Sequence, residues 1–290
     1  MVDLHTHSYY SDGYFSPREV VERAYKRGVR ILSLTDHDTI EGVSEFFEAG
    51  KEYSDLKQIV GCETSSNFNE INPESEVHIL ALGIKKQDKF SKFIKGTQKM
   101  RENGVFERIK LIQKQGYDIS KYEVMEVCVG TMTNQDIIKA MIQKGLIKNK
   151  EDFNTETTNP NVKSPFKKGG FAYYNVYDGF PSTKETIKEI SQSGALSVLA
   201  HPYRLGLEDK DLDLYVKKLK GYGLDGLECY HSNQTLEQTE YYLKLASKYD
   251  LLVSGGSDHH GKMDQIHKEY GMASRLQIEI PKDISILNLL

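Results

Sequence analysis

The 290-residue chain has no tryptophan, three cysteines, and no apolar run near the ~20 residues that a membrane-crossing helix requires. The cysteines, Cys62, Cys128 and Cys229, are odd in number, scattered, and form no Cys-x-x-Cys pair. That pattern excludes a cysteine-rich zinc finger and argues for reduced thiols and a cytoplasmic location. The opening MVDLHTHS has neither a basic n-region nor an apolar h-region, so no signal peptide is expected. Net charge is also small: 38 Lys and Arg against 42 Asp and Glu give -4. Broad, non-specific duplex binding needs many phosphate-neutralising cations and is not expected, although a local basic pocket for one phosphate is compatible with this balance. With 38% hydrophobic and 28% charged residues the composition is that of an ordinary globular protein. The length suits one large domain or two small ones.

What is present is a series of short apolar runs. Strands are expected at Val2–His7, Val29–Asp36, Gln58–Glu63, Glu76–Gly83, Ala195–His201, Gly223–Tyr230 and Leu251–Asp258. Most are near-continuous Val, Ile and Leu, as in parallel strands covered on both faces. Helical patterns alternate with them. Ser16-Pro17 opens one that stops at Gly28, and others run over Thr183–Ser193, Asp209–Tyr222 and Leu236–Tyr249. This alternation implies an α/β barrel or a doubly wound sheet, in residues 1–87 and 182–290. The stretch 88–181 breaks it. Rich in Lys, Gln, Asn and Thr, it reads as a mostly helical insertion.

Nine histidines are present, and their placement is ordered. His5 and His7 close the first strand, where residues i and i+2 point the same way and can reach one ion. Asp12 follows near Gly13. Asp36, His37 and Asp38 end the second strand, Glu63 the third, and His201 the fifth; His78 lies in the fourth. Asp258, His259 and His260 end the last, after Gly255-Gly256. Barrel enzymes carry their chemistry at the C-terminal ends of strands, one or two groups from each. Mixed imidazole and carboxylate donors suit Zn²⁺, Mn²⁺ or Fe²⁺ better than Ca²⁺ or Mg²⁺. About nine candidates are enough for two or three ions.

The motifs HTHSYYSDG, TDHD, AHP and SDHH, in this order, resemble those of the PHP (polymerase and histidinol phosphatase) superfamily. The likeness is greatest to the stand-alone nucleotide phosphatases, including those acting on 3′,5′-nucleoside bisphosphates. It implies a distorted (β/α)7 barrel with two or three divalent ions, Mn, Fe or Zn. By position His5, His7, Glu63 and Asp258 would hold the first ion. Glu63 would bridge to a second held also by His78 and His201. Asp12, His37 and His260 would hold the third. A metal-bridged hydroxide would then attack phosphorus in line. Arg204, three residues beyond His201, is placed to fork onto a phosphate in substrate binding and catalysis. Asp36 would orient a ligand imidazole or assist proton transfer, or else cap a helix. Thr64, Asn134 and Lys168 are the other expected substrate contacts. The resemblance has one break. Where the insertion of such phosphatases carries Arg-Pro-His, this chain reads TNQDI, with Asn134 and Asp136 in place of the Arg and His, while the Gly-rich KKGG at Lys167–Gly170 is kept.

Several residues have plainer readings. Asp38 suits a cap for a helix starting near Thr39. His259 should point away from its neighbours, His231 either lines the pocket or sits in a polar loop, and His267 is solvated. Tyr9, Tyr10, Tyr14, Tyr173 and Tyr174 either stack on a base or simply pack. The expected substrate is a small phosphorylated molecule such as a nucleotide, with short oligonucleotides as the rival, and no membrane or obligate protein partner. The alternatives are 5′-to-3′ exonuclease action, an amidohydrolase-type carbon-nitrogen hydrolase (which often uses a barrel lysine where Glu63 stands here), and a non-catalytic metal-stabilised module.

Overall fold

The seven apolar runs become seven strands that hydrogen-bond in chain order. They are β1 Val2–Asp3, β2 Ile31–Leu34, β3 Lys57–Asn67, β4 Glu76–Leu82, β5 Leu196–Leu199, β6 Gly226–His231 and β7 Leu252–Gly256. The computed structural model describes residues 1–68, 71–72, 75–153, 165–261, 272–273 and 278–290. The sheet curls until its two ends meet. Leu4 N donates to Gly255 O at 3.1 Å and His7 N to His259 O at 3.0 Å. The result is the nearly closed, distorted barrel that the resemblance implied.

One strand departs from the parallel expectation. β4 runs antiparallel to both β3 and β5, while the other pairs in the barrel are parallel. A parallel return needs a crossover of a dozen or more residues, and the 68–75 link is too short to supply one. The reversal has a consequence for the site. The mouth of the barrel, at the C-terminal ends of the parallel strands, receives the N-terminal end of β4, and so receives Glu76 and His78.

Around the barrel lie α1 Pro17–Arg27 and α2 Val43–Gly50. α1 starts in a capping box between Ser16 and Glu19 and stops at Gly28, whose φ of 99° suits glycine. Val20, Val21, Ala24 and Phe46 pack with Leu32 and Leu34 of β2. Asp38 does not cap the second helix. That helix begins behind Gly42 without a side-chain cap, and Asp38 faces the barrel mouth instead.

Between β4 and β5 come α3 Gln87–Gln113, α4 Lys121–Val127, α5 Asn134–Gln143 and α6 Lys150–Phe153. They share an apolar cluster of their own, including Val105, Ile109, Ile112, Val124, Ile137 and Met141. The segment docks on the first barrel loop through Thr131 N, which donates to Tyr10 O at 2.8 Å. Gly130 permits that approach, since a Cβ there would lie 2.1 Å from the same oxygen. The chain then returns through α7 Thr183–Gln192, α8 Asp209–Gly221 and α9 Leu236–Lys248, which pack with β4, β5 and β6. Val2, Leu4, Leu80, Leu82 and Val198 form a further cluster with Ile280, Ile284 and Ile286 from the C-terminal end.

Candidate active site

At the barrel mouth the side chains converge on one carboxylate. Glu63 is 1% exposed. Its Oε2 lies 3.1 Å from His5 Nε2, 3.2 Å from His7 Nε2 and 3.2 Å from His37 Nδ1. Its Oε1 lies 2.7 Å from both His78 Nδ1 and His201 Nε2. Asp258 Oδ1 faces His7 Nε2 at 3.3 Å and His5 Nε2 at 3.6 Å. On the outer side Asp12 Oδ1 faces His260 Nε2 at 3.1 Å and His37 Nε2 at 3.8 Å. The nine ligand candidates are thus gathered in one place. Three overlapping groups have their donor atoms within 4.8 Å of one another: His5, His7, Glu63 and Asp258; His37, Glu63 and His78; and His7, Asp12, His37 and His260. His201 stands beside the middle group, against Glu63, and His37 joins two groups where one was expected.

Local backbone makes this convergence possible. Thr6 turns its Oγ1 away to Ser33 O at 2.8 Å, which leaves His5 and His7 on the mouth side. A Cβ on Gly256 would sit 2.2 Å from Cβ of His5, so only glycine lets β7 close here. Among the described residues, four non-glycine residues have positive φ, and Asp38, His201 and Asp258 are three of them. Left-handed backbone at non-glycine positions is strained, and it is held where the surroundings over-determine it.

The buried donors fit divalent cations. His5 Nε2, His7 Nε2, His37 Nδ1 and Glu63 Oε2 are buried, point at one another and make no hydrogen bond. Such atoms are costly in a fold unless something else satisfies them. Imidazole nitrogens and carboxylates form a donor set for Mn²⁺, Fe²⁺ or Zn²⁺. The neighbours of the donors also set their tautomers. His5 Nδ1 is 2.9 Å from Glu228 Oε1, whose other oxygen accepts from His201 N at 2.6 Å. In the neutral ring that ligation needs, Nδ1–H donates to Glu228 and the Nε2 lone pair of His5 faces the cluster. His231, fully buried, accepts from Asn233 N through Nδ1 at 3.1 Å, so its Nε2–H is directed to Asp258 Oδ2 at 3.3 Å. The open choice for His231 resolves to a position behind Asp258. Glu228 was missed, although a glutamate inside the apolar run GLECY is itself a sign of a buried charge with a partner.

Burial alone would lower the histidine pKa values, but contacts with carboxylates outweigh it at three of them, and Glu228 and Glu63 hold His5 well above the usual imidazole range. The Asp258 and Glu63 carboxylates facing its Nε2 bring His7 up to about 9. The charges of Glu63 and Glu76 bring His78 up to about 10. At His201 burial wins despite the Glu63 contact, and the value falls to about 3. In the metal-free protein His5, His7 and His78 are therefore expected to hold protons at neutral pH. These imidazolium–carboxylate pairs stabilise the metal-free fold fully below pH ~6.5, and the contribution is lost as pH rises through the folded-state values. Ligation requires the neutral rings, so Mn²⁺ binding at pH 7 should release the protons of His5, His7 and His78, about three, and tighten as pH rises. Calorimetric titration in buffers of different ionisation enthalpy counts them. Zero protons and a pH-independent affinity would exclude these imidazoles as ligands.

The cluster forms one side of a cavity of about 210 Å³, lined also by Glu76, Arg101, Arg108, Asn134 and Arg204. Arg204 and Asn134 are where substrate contacts were expected. Arg204 Nη1 lies 3.9 Å from Asp258 Oδ2. The expected roles of three residues, Thr64, Lys168 and Asp36, need correction. Thr64 is buried in β3 with its hydroxyl donating to Ile79 O at 2.6 Å, so it serves strand pairing. Lys168 is exposed on the 165–170 turn, away from the cavity lining. Asp136 closes the α5 capping box by accepting from Thr133 N at 2.7 Å. Asp36 does not reach the cavity. It accepts from Ser8 N at 2.7 Å and from the hydroxyls of Ser8 and Ser11 at 2.6 and 2.8 Å, which anchors the loop between His7 and Asp12. None of Tyr9, Tyr10, Tyr14, Tyr173 and Tyr174 lines the cavity. His259 faces Phe15, away from the cluster, while His267 lies outside the described residues.

Arg101 and Arg108 of α3 were missed. They sit in a Lys-rich helix where a cation carries no positional signal, and it takes the folded insertion to turn them toward the barrel.

The PHP domain matches this chain over residues 3–192. A 5′-3′ exoribonuclease of Haemophilus influenzae is 31% identical over 89% of this chain and 89% of its own. A phosphoribosyl 1,2-cyclic phosphate 1,2-diphosphodiesterase of Eggerthella lenta is 28% identical over 91% of this chain and 95% of its own. Among solved structures, a candidate metal-dependent phosphoesterase of Bifidobacterium adolescentis superposes with a TM-score of 0.78 at 28% identity, over 100% of this chain and 95% of the other. The chain belongs to the PHP family and is a metal-dependent phosphoesterase.

Proposed function

We propose that the chain removes a terminal phosphate from a nucleotide or a related small phosphorylated metabolite. The observation that carries this reading is the cavity itself, with the His, Asp and Glu cluster on one side and Arg204 beside it. Two or three Mn, Fe or Zn ions would be held by His5, His7, Glu63 and Asp258; by Glu63, His78 and His201 with His37; and by Asp12, His37 and His260. When bound, such ions acidify water and spread the charge of the phosphoryl oxygens. Arg204 forks onto the same oxygens and fixes the phosphate against the cluster. Glu228 and His231 hold His5 and Asp258 in register. The reduced, unpaired thiols Cys62, Cys128 and Cys229 support a cytoplasmic setting. Among the described residues no helix is long and apolar enough to cross a membrane.

A second reading has its own support. The volume of about 210 Å³ is below that of pockets that enclose whole drug-sized ligands, roughly 300–1,000 Å³. Such a cavity takes the phosphorylated end and leaves the rest outside, so the 5′ end of a short RNA or DNA is a rival substrate. Phosphate release by the Mn²⁺-loaded protein decides between them on a panel of AMP, adenosine 3′,5′-bisphosphate, histidinol phosphate and a 5′-phosphorylated oligonucleotide scored for mononucleotide release. No turnover of any, with metal confirmed, would overturn both readings. Arg204→Ala should lower kcat/KM by about 10²-fold while metal content stays at the wild-type level; loss of metal instead would assign Arg204 to the metal centre's support.

A further inference from the structure

The reversal of β4 brings Glu76 and His78 to the barrel mouth as residues i and i+2 of one strand, on a shared face. The His78 ring stands between two carboxylates. Its Nδ1 lies 2.7 Å from Glu63 Oε1 and 3.3 Å from His201 Nε2, within the cluster. Its other nitrogen, Nε2, is buried without a hydrogen-bond partner and has Glu76 Oε2 at ion-pair distance, 3.2 Å. A neutral imidazole keeps one N–H. A ring that ligates through Nδ1 therefore carries its proton on Nε2, where it needs an acceptor. Glu76 supplies one.

Glu76 is in turn held from the insertion. The oxygen that faces His78 also accepts from Arg101 Nη2 at 3.1 Å. Arg101 Nε donates to Asp38 Oδ2 at 2.6 Å, and Nη2 reaches the Ser65 hydroxyl as well. Although Arg101 lines the cavity, its guanidinium is engaged by two carboxylates of the barrel. A planar guanidinium fixed by one carboxylate is a rigid support for the other. The support comes from α3, while Glu76 and His78 belong to the barrel.

We infer that Glu76 is a positioning residue that turns His78 Nδ1 toward the cluster, and that Arg101 holds Glu76 there, so that the helical insertion sets how tightly the group of His37, Glu63 and His78 binds its ion. The inference rests on the metal-centre reading of the same cluster. It gives Arg101 a part in metal binding rather than in substrate binding, and it makes α3 part of the metal centre's support.

Selective ¹⁵N labelling of histidine in the Zn²⁺-loaded protein reads the ring directly. His78 should be ligated through Nδ1 with its proton on Nε2, and Glu76→Gln should shift that Nε2 resonance while those of His5 and His260 stay in place. In chelator-buffered Mn²⁺ titrations the affinity for one ion should fall about tenfold or more in Glu76→Gln. Arg101→Met should weaken the same ion, although no imidazole is among the hydrogen-bond partners of Arg101. The double variant should lose less than the product of the two single losses, because both act through one contact. Losses that multiply would overturn the link to α3. Ligation of His78 through Nε2, or an unchanged affinity in Glu76→Gln, would overturn the inference and leave the metal centre intact. Zinc that shifts none of the cluster imidazoles would overturn the metal assignment beneath it. Neither readout needs turnover, so a loaded enzyme that hydrolyses no phosphoester would sink the proposed reaction and leave this role of Glu76 standing. Should Arg101→Met not fold, Arg101→Lys, which cannot span both carboxylates, takes its place in the cycle under the same outcomes.

Discussion

Glu63→Gln should lose at least about 10³-fold in phosphate release and most of its bound metal, the largest effect of any single change at the site. Glutamine keeps the shape of the side chain, so the loss isolates the charge. That charge is shared: five imidazole nitrogens, from His5, His7, His37, His78 and His201, lie 2.7 to 3.2 Å from its two oxygens. Burial disfavours the ionised carboxyl, but the charges of His37, His78 and His5 and the His201 hydrogen bond more than offset it, and the group stays ionised well below the usual range. A carboxylate with one oxygen toward each of two donor groups can bridge two cations, whereas an amide offers one weak acceptor and a pair of donors. The candidate cation groups on either side of Glu63 would then weaken together. Metal content by atomic emission and rate by phosphate release should fall in parallel. A Glu63→Gln protein with its full metal complement would show that the cluster does not depend on the bridge.

How much of this site was legible in the sequence depends on whether a residue's role follows from its own strand. His5, His7, Asp12, His37, Glu63, His201, Asp258 and His260 follow strands or lie in the loops at their ends, and order along the chain was enough to find them. His78 was found through its motif neighbours, but its position in the middle of a predicted strand had no explanation until β4 proved to be reversed. Glu76, at the start of that strand, was lost for the same reason. Thr64 was misread because in a strand the hydroxyl of a buried threonine commonly serves the ladder, and nothing local says which way it turns. Asp136 closes a capping box with Thr133, a role that the Thr-x-x-Asp spacing itself carries. Arg101 and Arg108 could not be found by pattern. Their roles come from where a long helix crosses the barrel mouth, and that depends on packing between Val105, Ile109 and the rest of the insertion.

Arg101→Met should destabilise the fold by about 3 kcal/mol, a drop on the order of 10 °C in Tm for a chain of this size, because it strands two carboxylates. Arg101 Nε donates to Asp38 Oδ2 at 2.6 Å, and Nη2 reaches Glu76 Oε2 at 3.1 Å and the Ser65 hydroxyl. Asp38 is fully buried, and the Arg101 and Glu76 side chains are 14% and 22% exposed, so water replaces little of what is lost. The three partners come from the end of β2, from β3 and from β4, and Arg101 is what ties α3 to all of them. The loss should therefore be seen first as faster amide exchange in α3. The pH dependence has a definite sign. Burial would raise the Glu76 carboxyl, but Arg101 foremost and His78 next hold it well below the carboxylate range. A depressed carboxyl stabilises the fold above its unfolded pKa of ~4.3 and loses that contribution as pH falls. The gap between wild type and Arg101→Met should accordingly be widest near neutral pH and narrow progressively below pH ~4.5. Denaturant titrations at pH 7 and in acid measure both. A Tm within about 2 °C of wild type at pH 7 would mean that Asp38 and Glu76 find other partners, and that α3 is held on the barrel by its apolar contacts alone.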